Sequence, residues 1–424
     1  MIVENEGKGP DASDAEAAGE SPSGRIHFSP PAGGRVDLLV IAGEHSGDGH
    51  AAQVVREIRR RSPGLAISAL GGPALAQAGA QLLIDLTGSS VIGYVEVIRR
   101  YRSFFRPLFE ETLRWIGEHR PRAVLFVDYG GFNLRVADAM RARGLSVKGW
   151  GGIKTLYYIS PQVWASRPGR RFSIARNLDA MAVIFPFEVD SYADTELPVE
   201  FVGHPFLSPD YRPPVRYAPN APVLLLPGSR RPAVARIFPV LLAAHRAFGG
   251  RPAVVLYPSS EIASQLGAII AAAGAADVTL IRSGEEGDTG LSGLVPGAFS
   301  VEPASGSQPA SAVLTSSGTI SMHCALAGIP GAIAFRIDPL TYWLGRMLVN
   351  VPNLGLANLL LKEPMYPEYI QAAATPRALA EELTACVEDP ARRERAASQA
   401  ARLRELLTRP AGGTAADWLE RHLD

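Results

Sequence analysis

Leu224-Leu225-Leu226-Pro227-Gly228-Ser229-Arg230 is the stretch whose reading decides the fold. An apolar run of strand length closes on Pro-Gly, then offers a hydroxyl and a guanidinium beyond the strand's carboxyl end. In an open α/β sheet that is where ligands bind. Glycine lets the backbone approach a bulky anion, the free N–H groups and Ser229 can hydrogen-bond phosphate oxygens, and Arg230 can fork onto them. This predicts a diphosphate cradle, although the motif alone fits an ordinary strand-to-helix turn equally well. A second loop separates the two readings. Ser316-Ser317-Gly318-Thr319 follows the apolar run Ala312-Val313-Leu314 and sets hydroxyls and N–H groups at a helix start, where the dipole favours an anion.

Outward from these loops, strands are predicted near 223–226, 253–257, 278–281, 311–315 and 331–335, with a Gly-, Ser-, Glu- and Pro-rich insertion over 282–310. Upstream, six prolines between Pro205 and Pro222 read as an interdomain linker. Before the linker the alternation recurs. Val36 to Ile41, Ala66 to Leu70, Ala123 to Val127, Thr155 to Ile159, Met181 to Phe185 and Val199 to Val202 are short apolar runs typical of buried parallel strands. The first enters the Gly-rich loop Ala42-Gly43-Glu44-His45-Ser46-Gly47-Asp48-Gly49-His50, which lacks a Walker lysine. Its carboxylates, Glu44 and Asp48, would repel phosphate and suit sugar hydroxyls. His45 and His50 are five residues apart and would not share a helix face, so no metal site is predicted. The run ending at Val127 delivers Asp128 to the ligand crevice as the candidate general base, ahead of Phe132-Asn133.

Lys plus Arg and Asp plus Glu balance at 42 each, which argues against a nucleic-acid binder driven by bulk positive potential. Residues 1–34 carry six acids and two bases and have no apolar signal core, so they read as a disordered tail. Two cysteines, Cys324 and Cys386, give no disulfide framework and suit a reducing compartment. Together with the missing export signal they predict a cytoplasmic protein. Over 95–122, aromatic and aliphatic residues including Phe104, Phe105 and Phe109 interleave with seven arginines, and Pro107 is expected to interrupt any helix there. That pattern fits a helix packed by one face or an interfacial membrane contact, with rings among acyl chains and arginines near lipid phosphates. Arg167, Arg170, Arg171 and Arg176 fit either a site for an anionic substrate or a solvated helix face.

The expected organisation is α/β. It comprises a tail over 1–35, a Rossmann-like acceptor domain over 36–207 and a Rossmann-like nucleotide-sugar domain over 208–350. Helices over 351–424 pack back across the first domain. Two doubly wound parallel-sheet domains would face a cleft, one wall supplying carboxylates and the other anion cradles. That division suits transfer of a sugar from a nucleotide diphosphate. No Asp-x-Asp occurs, so no metal and no other cofactor is expected, and Arg230 with the helix N-termini would neutralise the diphosphate.

Read together, the motifs resemble a known family. Ala42-Gly43-Glu44-x-Ser46-Gly47-Asp48, Asp128 with Phe132-Asn133, Ser160-Pro161-x-Val163-Trp164-Ala165, Phe185-Pro186-Phe187-Glu188, Phe201-Val202-Gly203-His204-Pro205, Leu226-Pro227-Gly228-Ser229-Arg230, Ser317-Gly318-Thr319 and Pro352-Asn353 stand in the order found in lipid A disaccharide synthases. The resemblance covers about residues 36–385. It implies a GT-B glycosyltransferase joining UDP-2,3-diacylglucosamine to 2,3-diacylglucosamine 1-phosphate, with inversion, to give a β-1,6-linked disaccharide 1-phosphate and UDP. Asp128 aligns with the family's essential aspartate and Arg230 with its essential arginine. The nucleotide-sugar side is expected to use Gly228, Ser229, Arg230, Ser317, Gly318, Thr319, His323, Asn353 and Gln371, and the acceptor side Glu44, Ser46, Asp48 and Asn133. Phe104, Phe105 and Phe109 would meet acyl chains at the cytoplasmic face of the inner membrane, and a second copy of the chain is an expected partner. Two positions depart from the family: His323 stands where a ribose-gripping Glu is usual, and Gly131 replaces an Asp. A divergent enzyme with another UDP-sugar or acceptor, and a non-catalytic nucleotide-sugar-binding relative, are the alternatives.

Overall fold

The computed structural model describes residues 26–87, 104–209, 211–275, 277–282, 301–302, 306–339, 342–343, 352–408 and 413–423. Seven short strands form the first sheet: β1 (Leu38–Ala42), β2 (Ile67–Gly71), β3 (Gln81–Asp85), β4 (Ala123–Val127), β5 (Lys154–Tyr158), β6 (Ala180–Val183) and β7 (Val199–Phe201), in the order β3-β2-β1-β4-β5-β6-β7. The helices α1 (His45–Arg61), α2 (Pro73–Gln77), α3 (Arg106–His119), α4 (Gly130–Ala142), α5 (Arg170–Asn177) and α6 (Phe187–Asp190) connect them. β1 and β4 are buried at every position, as a strand covered by helices on both faces must be.

The second sheet repeats the winding. β9 (Val223–Leu226), β10 (Ala253–Tyr257), β11 (Val278–Arg282), β12 (Val301–Glu302), β14 (Ala312–Thr315), β15 (Gly331–Phe335) and β16 (Glu368–Ile370) lie in the order β12-β11-β10-β9-β14-β15-β16. β8 (Val215–Tyr217) and β13 (Gln308–Ala310) pair separately, in parallel. The helices here are α7 (Arg231–Phe248), α8 (Ser260–Ala273), α9 (Thr319–Leu326), α10 (Leu356–Leu361), α11 (Pro376–Glu388), α12 (Pro390–Leu407) and α13 (Ala415–Leu423). Val234, Ile237, Phe238 and Leu241 of α7 share one buried cluster with Leu379, Leu383 and Cys386 of α11. In both sheets the strand order reverses once, between β1 and β4 and between β9 and β14. Such switch points open a crevice at the strands' carboxyl ends.

Backbone contacts divide the chain into two compact units, through Leu156 and from Tyr157 onward. This boundary lies upstream of the expected linker because later parts of the first sheet bond to the C-terminal helices. His204 N–H donates to Leu407 O at 3.1 Å, and Arg421 of α13 pairs with Glu200 of β7 at 2.6 Å. The Pro-rich stretch itself holds β8, whose partner β13, like the edge strand β12, comes from the stretch expected to be an insertion.

Two expectations are corrected. The tail predicted over 1–35 does not hold for 26–35: Phe28 is buried, its N–H donates to Glu111 Oε1 at 2.7 Å, and Trp115 Nε1 donates to Ser29 O at 2.9 Å. Residues 1–25 lie outside the described residues. Pro107 does not interrupt a helix but opens one, in the first turn of α3, where its missing N–H costs no intrahelical bond. Of the predicted amphipathic segment, 95–103 lies outside the described residues. No described helix is long and apolar enough to cross a membrane.

Candidate active site

At the first switch point the β4–α4 turn carries Asp128 and Tyr129, both with φ of 47°. Left-handed backbone at a non-glycine residue costs on the order of 1–3 kcal/mol and persists only where surroundings enforce it. Asn133 supplies that enforcement. Fully buried, its amide nitrogen lies 2.9 Å from Asp128 O and 3.3 Å from both Val127 O and Ile41 O, tying the tips of β1 and β4 together. The Tyr129 ring covers the neighbouring loop so closely that a Cβ at Gly43 would lie 2.2 Å from it, so only glycine fits there. Burial, reinforced by the charge of Glu44, raises the pKa of Asp128 against the opposing Tyr129 N–H. A carboxylate destabilised in this way holds a proton more readily, as a general base should.

The other acceptor-side candidates separate. Glu44 and Ser46 are exposed at the start of α1. Asp48 is buried, and its oxygens accept the N–H groups of Gly72 at 2.8 Å, Ala74 at 2.9 Å and Leu75 at 3.2 Å. The expectation that Asp48 meets sugar hydroxyls is therefore corrected: it caps α2. The amide nitrogen of Asn133 is likewise occupied with backbone, holding Asp128's turn, while its buried Oδ1 has no partner among the described residues. Gly131 is exposed, with open space where a Cβ would stand, so its departure from the family leaves packing untouched.

At the second switch point Gly228 has φ of 106°, and a Cβ there would sit 3.1 Å from Ser316 Oγ. Ser316 N–H donates to Leu226 O at 2.8 Å, so the two predicted cradle loops touch. Ser229 and Arg230 are exposed, Arg230 at the N-cap of α7; Gly318 and Thr319 are exposed at the start of α9 and Ser317 is half-buried. The side chains of Ser229, Arg230, Ser317 and Thr319 make no hydrogen bond or ion pair among the described residues, leaving them available to an anion. Ser229, Arg230, Ser317, Gly318 and Thr319 are thus brought to one crevice.

His323, on α9, is half-buried and already engaged. Its ring stacks on Phe206 with centroids 3.9 Å apart, and its Nδ1 meets the Tyr211 hydroxyl. Asn353 is half-buried just before two N–H groups, of Leu354 and Gly355, that donate to the Glu368 carboxylate at 2.9 Å each. Gln371 is turned to its neighbours: its Oε1 accepts Ile337 N–H at 3.0 Å and its Nε2 donates to Ile337 O at 3.1 Å. Phe104, Phe105 and Phe109 are half-buried rather than either sealed in a core or fully exposed. In the arginine cluster, Arg171 is paired with Asp194 at 2.7 Å, which leaves fewer free cations than the sequence suggested.

Sequence reasoning missed an aromatic run that starts at the Ser160–Ala165 loop. Trp164 packs edge-on to Phe187, Phe187 stacks on Phe185, Phe185 meets His204, His204 meets Phe206, and Phe206 reaches His323. It also missed Glu188, buried under this run, whose pKa burial pushes up to about 7 even though it accepts the N–H of Phe185 at 3.1 Å. The signal is present as Phe185-Pro186-Phe187-Glu188 and Gly203-His204-Pro205, but each reads locally as strand-ending punctuation.

A family model described as lipid-A-disaccharide synthetase matches residues 38–250 and 304–415, which takes in both crevices. The chain belongs to the lipid-A-disaccharide synthase family. A family member from Geobacter metallireducens is 35% identical over 379 residues, covering 87% of this chain and 92% of the relative. Another, from Nitrosococcus oceani, is 33% identical over 371 residues, covering 84% and 88%. Among solved structures, the kitacinnamycin glycosyltransferase superposes with a TM-score of 0.52 at 16% identity, covering 92% of this chain and all of that one. A UDP-GlcNAc 2-epimerase from Neisseria meningitidis, solved with UDP-GlcNAc, gives 0.52 at 12% identity over 88% and 99%. These two likenesses bear on fold alone, and they place the family on the GT-B architecture.

Proposed function

We propose that this chain transfers 2,3-diacylglucosamine from its UDP donor to 2,3-diacylglucosamine 1-phosphate, forming the β-1,6-linked disaccharide 1-phosphate and UDP. Family membership supports the reaction, and the observation that carries the mechanism is Asp128 at the β4 switch point with its pKa raised by burial and by Glu44. Asp128 takes the proton of the acceptor's 6-hydroxyl as that oxygen attacks the donor's anomeric carbon. The bond from that carbon to the diphosphate oxygen breaks with inversion, and the electron pair leaves with UDP. Arg230 and the N–H groups and hydroxyls of Ser229, Ser317 and Thr319 stabilise the charge that develops on the departing diphosphate. His323 offers a hydrogen bond to the nucleotide ribose, from a ring already fixed by Phe206 and Tyr211. The enzyme works as a peripheral protein at the cytoplasmic surface of the inner membrane, with the half-buried rings of Phe104, Phe105 and Phe109 toward acyl chains, and a homodimer is its proposed assembly.

The test is incubation of the purified chain with both authentic substrates and detection of the disaccharide by mass spectrometry. Asp128→Asn should lower kcat by roughly 100- to 10,000-fold, the range for a lost general base. Release of UDP without disaccharide, or an Asp128→Asn variant as fast as the parent, would overturn the reading.

A further inference from the structure

We infer that a cavity at the carboxyl ends of β15 and β16 is a site for the phosphomonoester of an acylated sugar phosphate, the acceptor or the product of the reaction proposed above. This rests on that reaction for the identity of the ligand, while the cavity stands on its own geometry. It has a volume of about 540 Å³, and two of its lining residues are Arg236 of α7 and Arg336 just beyond β15.

The wall is built rather than incidental. Arg336 is anchored by its own donors, Nε to Gln371 O at 3.2 Å and Nη2 to Ala374 O at 2.7 Å. Gln371 clamps Ile337 in both directions and holds a φ of 53°, backbone strain of the kind that clusters at ligand clamps. Carbonyl partners fix the Arg336 guanidinium without cancelling its charge. Arg236 is exposed and makes no hydrogen bond, and neither arginine meets a carboxylate among the described residues. Two guanidinium groups lining one cavity without a counter-charge attract an anion, and the planar fork matches a phosphate.

The position narrows the choice of anion. β15 lies beside β14 and β16 beside β15, so with strands about 4.8 Å apart the cavity opens roughly 5–10 Å along the sheet edge from the Ser317–Thr319 cradle. The donor diphosphate is provided for by that cradle and by Ser229 and Arg230. The remaining anion in the reaction is the monoester on the acceptor, which the product retains. Ile337, the Tyr342 ring, Ala372 and the arginine stems offer the carbon surface that an acylated ligand needs.

Calorimetric titration of the full chain with a short-chain diacylglucosamine 1-phosphate, its dephosphorylated analogue, inorganic phosphate and UDP tests this. The parent should bind the phosphate-bearing sugar about tenfold more tightly than the analogue, the lower end of the range for a charge-assisted hydrogen bond. Arg236→Met, on an exposed helical position where Met is well tolerated, should erase that difference and leave UDP binding unchanged, and Arg236→Lys should restore part of it. In turnover, Arg236→Met should raise the acceptor KM about tenfold with the donor KM unaltered. Equal binding of the two sugars by the parent, or no effect of Arg236→Met, would overturn the inference, as would inorganic phosphate binding as tightly as the sugar phosphate. If the parent makes disaccharide while Arg236→Met changes nothing, the cavity assignment falls and the proposed reaction stands. If no disaccharide forms but the phosphate preference depends on Arg236, the reverse holds.

Discussion

Replacing Glu188 with glutamine should flatten the pH dependence of folding stability. Glu188 is 2% exposed, and although the N–H groups of Phe185 and Ile184 favour its charged form, burial dominates and raises its pKa from 4.5 to about 7. The folded chain therefore holds this proton more tightly than the unfolded chain does. Between about pH 4.5 and 7 the folded state binds more protons, so its stability falls as pH rises and levels off above 7. With a raised pKa of about 7 against 4.5, and 1.36 kcal/mol per unit, the loss is about 3 kcal/mol. Glutamine keeps the shape of the protonated acid and removes the titration. The assay is urea unfolding of the parent and of Glu188→Gln at pH 5 and pH 8, compared as a double difference so that all other titrating groups cancel. Because pH 5 already lies above the unfolded pKa, the variant should gain about 2.5 kcal/mol of that relative to the parent between the two pH values. Parallel pH profiles for the two proteins would refute the claim that burial, rather than the backbone donors, governs this carboxyl.

Three further outcomes are expected. Glu44→Gln removes a negative charge that raises the pKa of Asp128, so the acid limb of the kcat/KM profile should move to lower pH; an unmoved limb counts against the coupling. Gly228→Ala places a Cβ 3.1 Å from Ser316 Oγ at a φ of 106° and should cost about 1–3 kcal/mol by thermal or urea unfolding, with weakened UDP binding by calorimetry. Asn133→Ala strips the amide from three strand-tip carbonyls and should destabilise by about 2 kcal/mol, while kcat falls because Asp128 loses its fixed turn.

Much of the parallel architecture is legible in the sequence because buried parallel strands are written as short apolar runs, and β1, β4, β9, β10 and β14 stand within a residue or two of where those runs lie. β3 is not legible because Gln81-Leu82-Leu83-Ile84-Asp85 is only half-buried and begins and ends polar. β8 and β16 are three residues long and depend on partners far along the chain, which no local pattern reveals. Among site residues, the cradle is legible because glycine and hydroxyls follow strands directly. Asp48, Asn133 and Gln371 stand out as polar residues near a crevice, but nothing in sequence tells whether an amide or carboxylate faces a ligand or the adjacent backbone. In the folded chain all three bond backbone groups. The stacking of Phe206 and Tyr211 on His323 joins positions more than 110 residues apart and needs the fold to appear.

The lead-in segment before β1 sets how far the acidic leader can be trimmed. A cut ahead of residue 26 would spare these attachments, whereas one at residue 36 would take away Phe28 from its buried seat and the carbonyl that receives the Trp115 indole. Glu111 would keep Arg114 but lose a backbone donor, and Gln81 would lose Ala32 and Pro30 together. A shortened chain that expresses poorly would thus be reporting an unpicked seam along α3 and β3, with both crevices still intact in sequence.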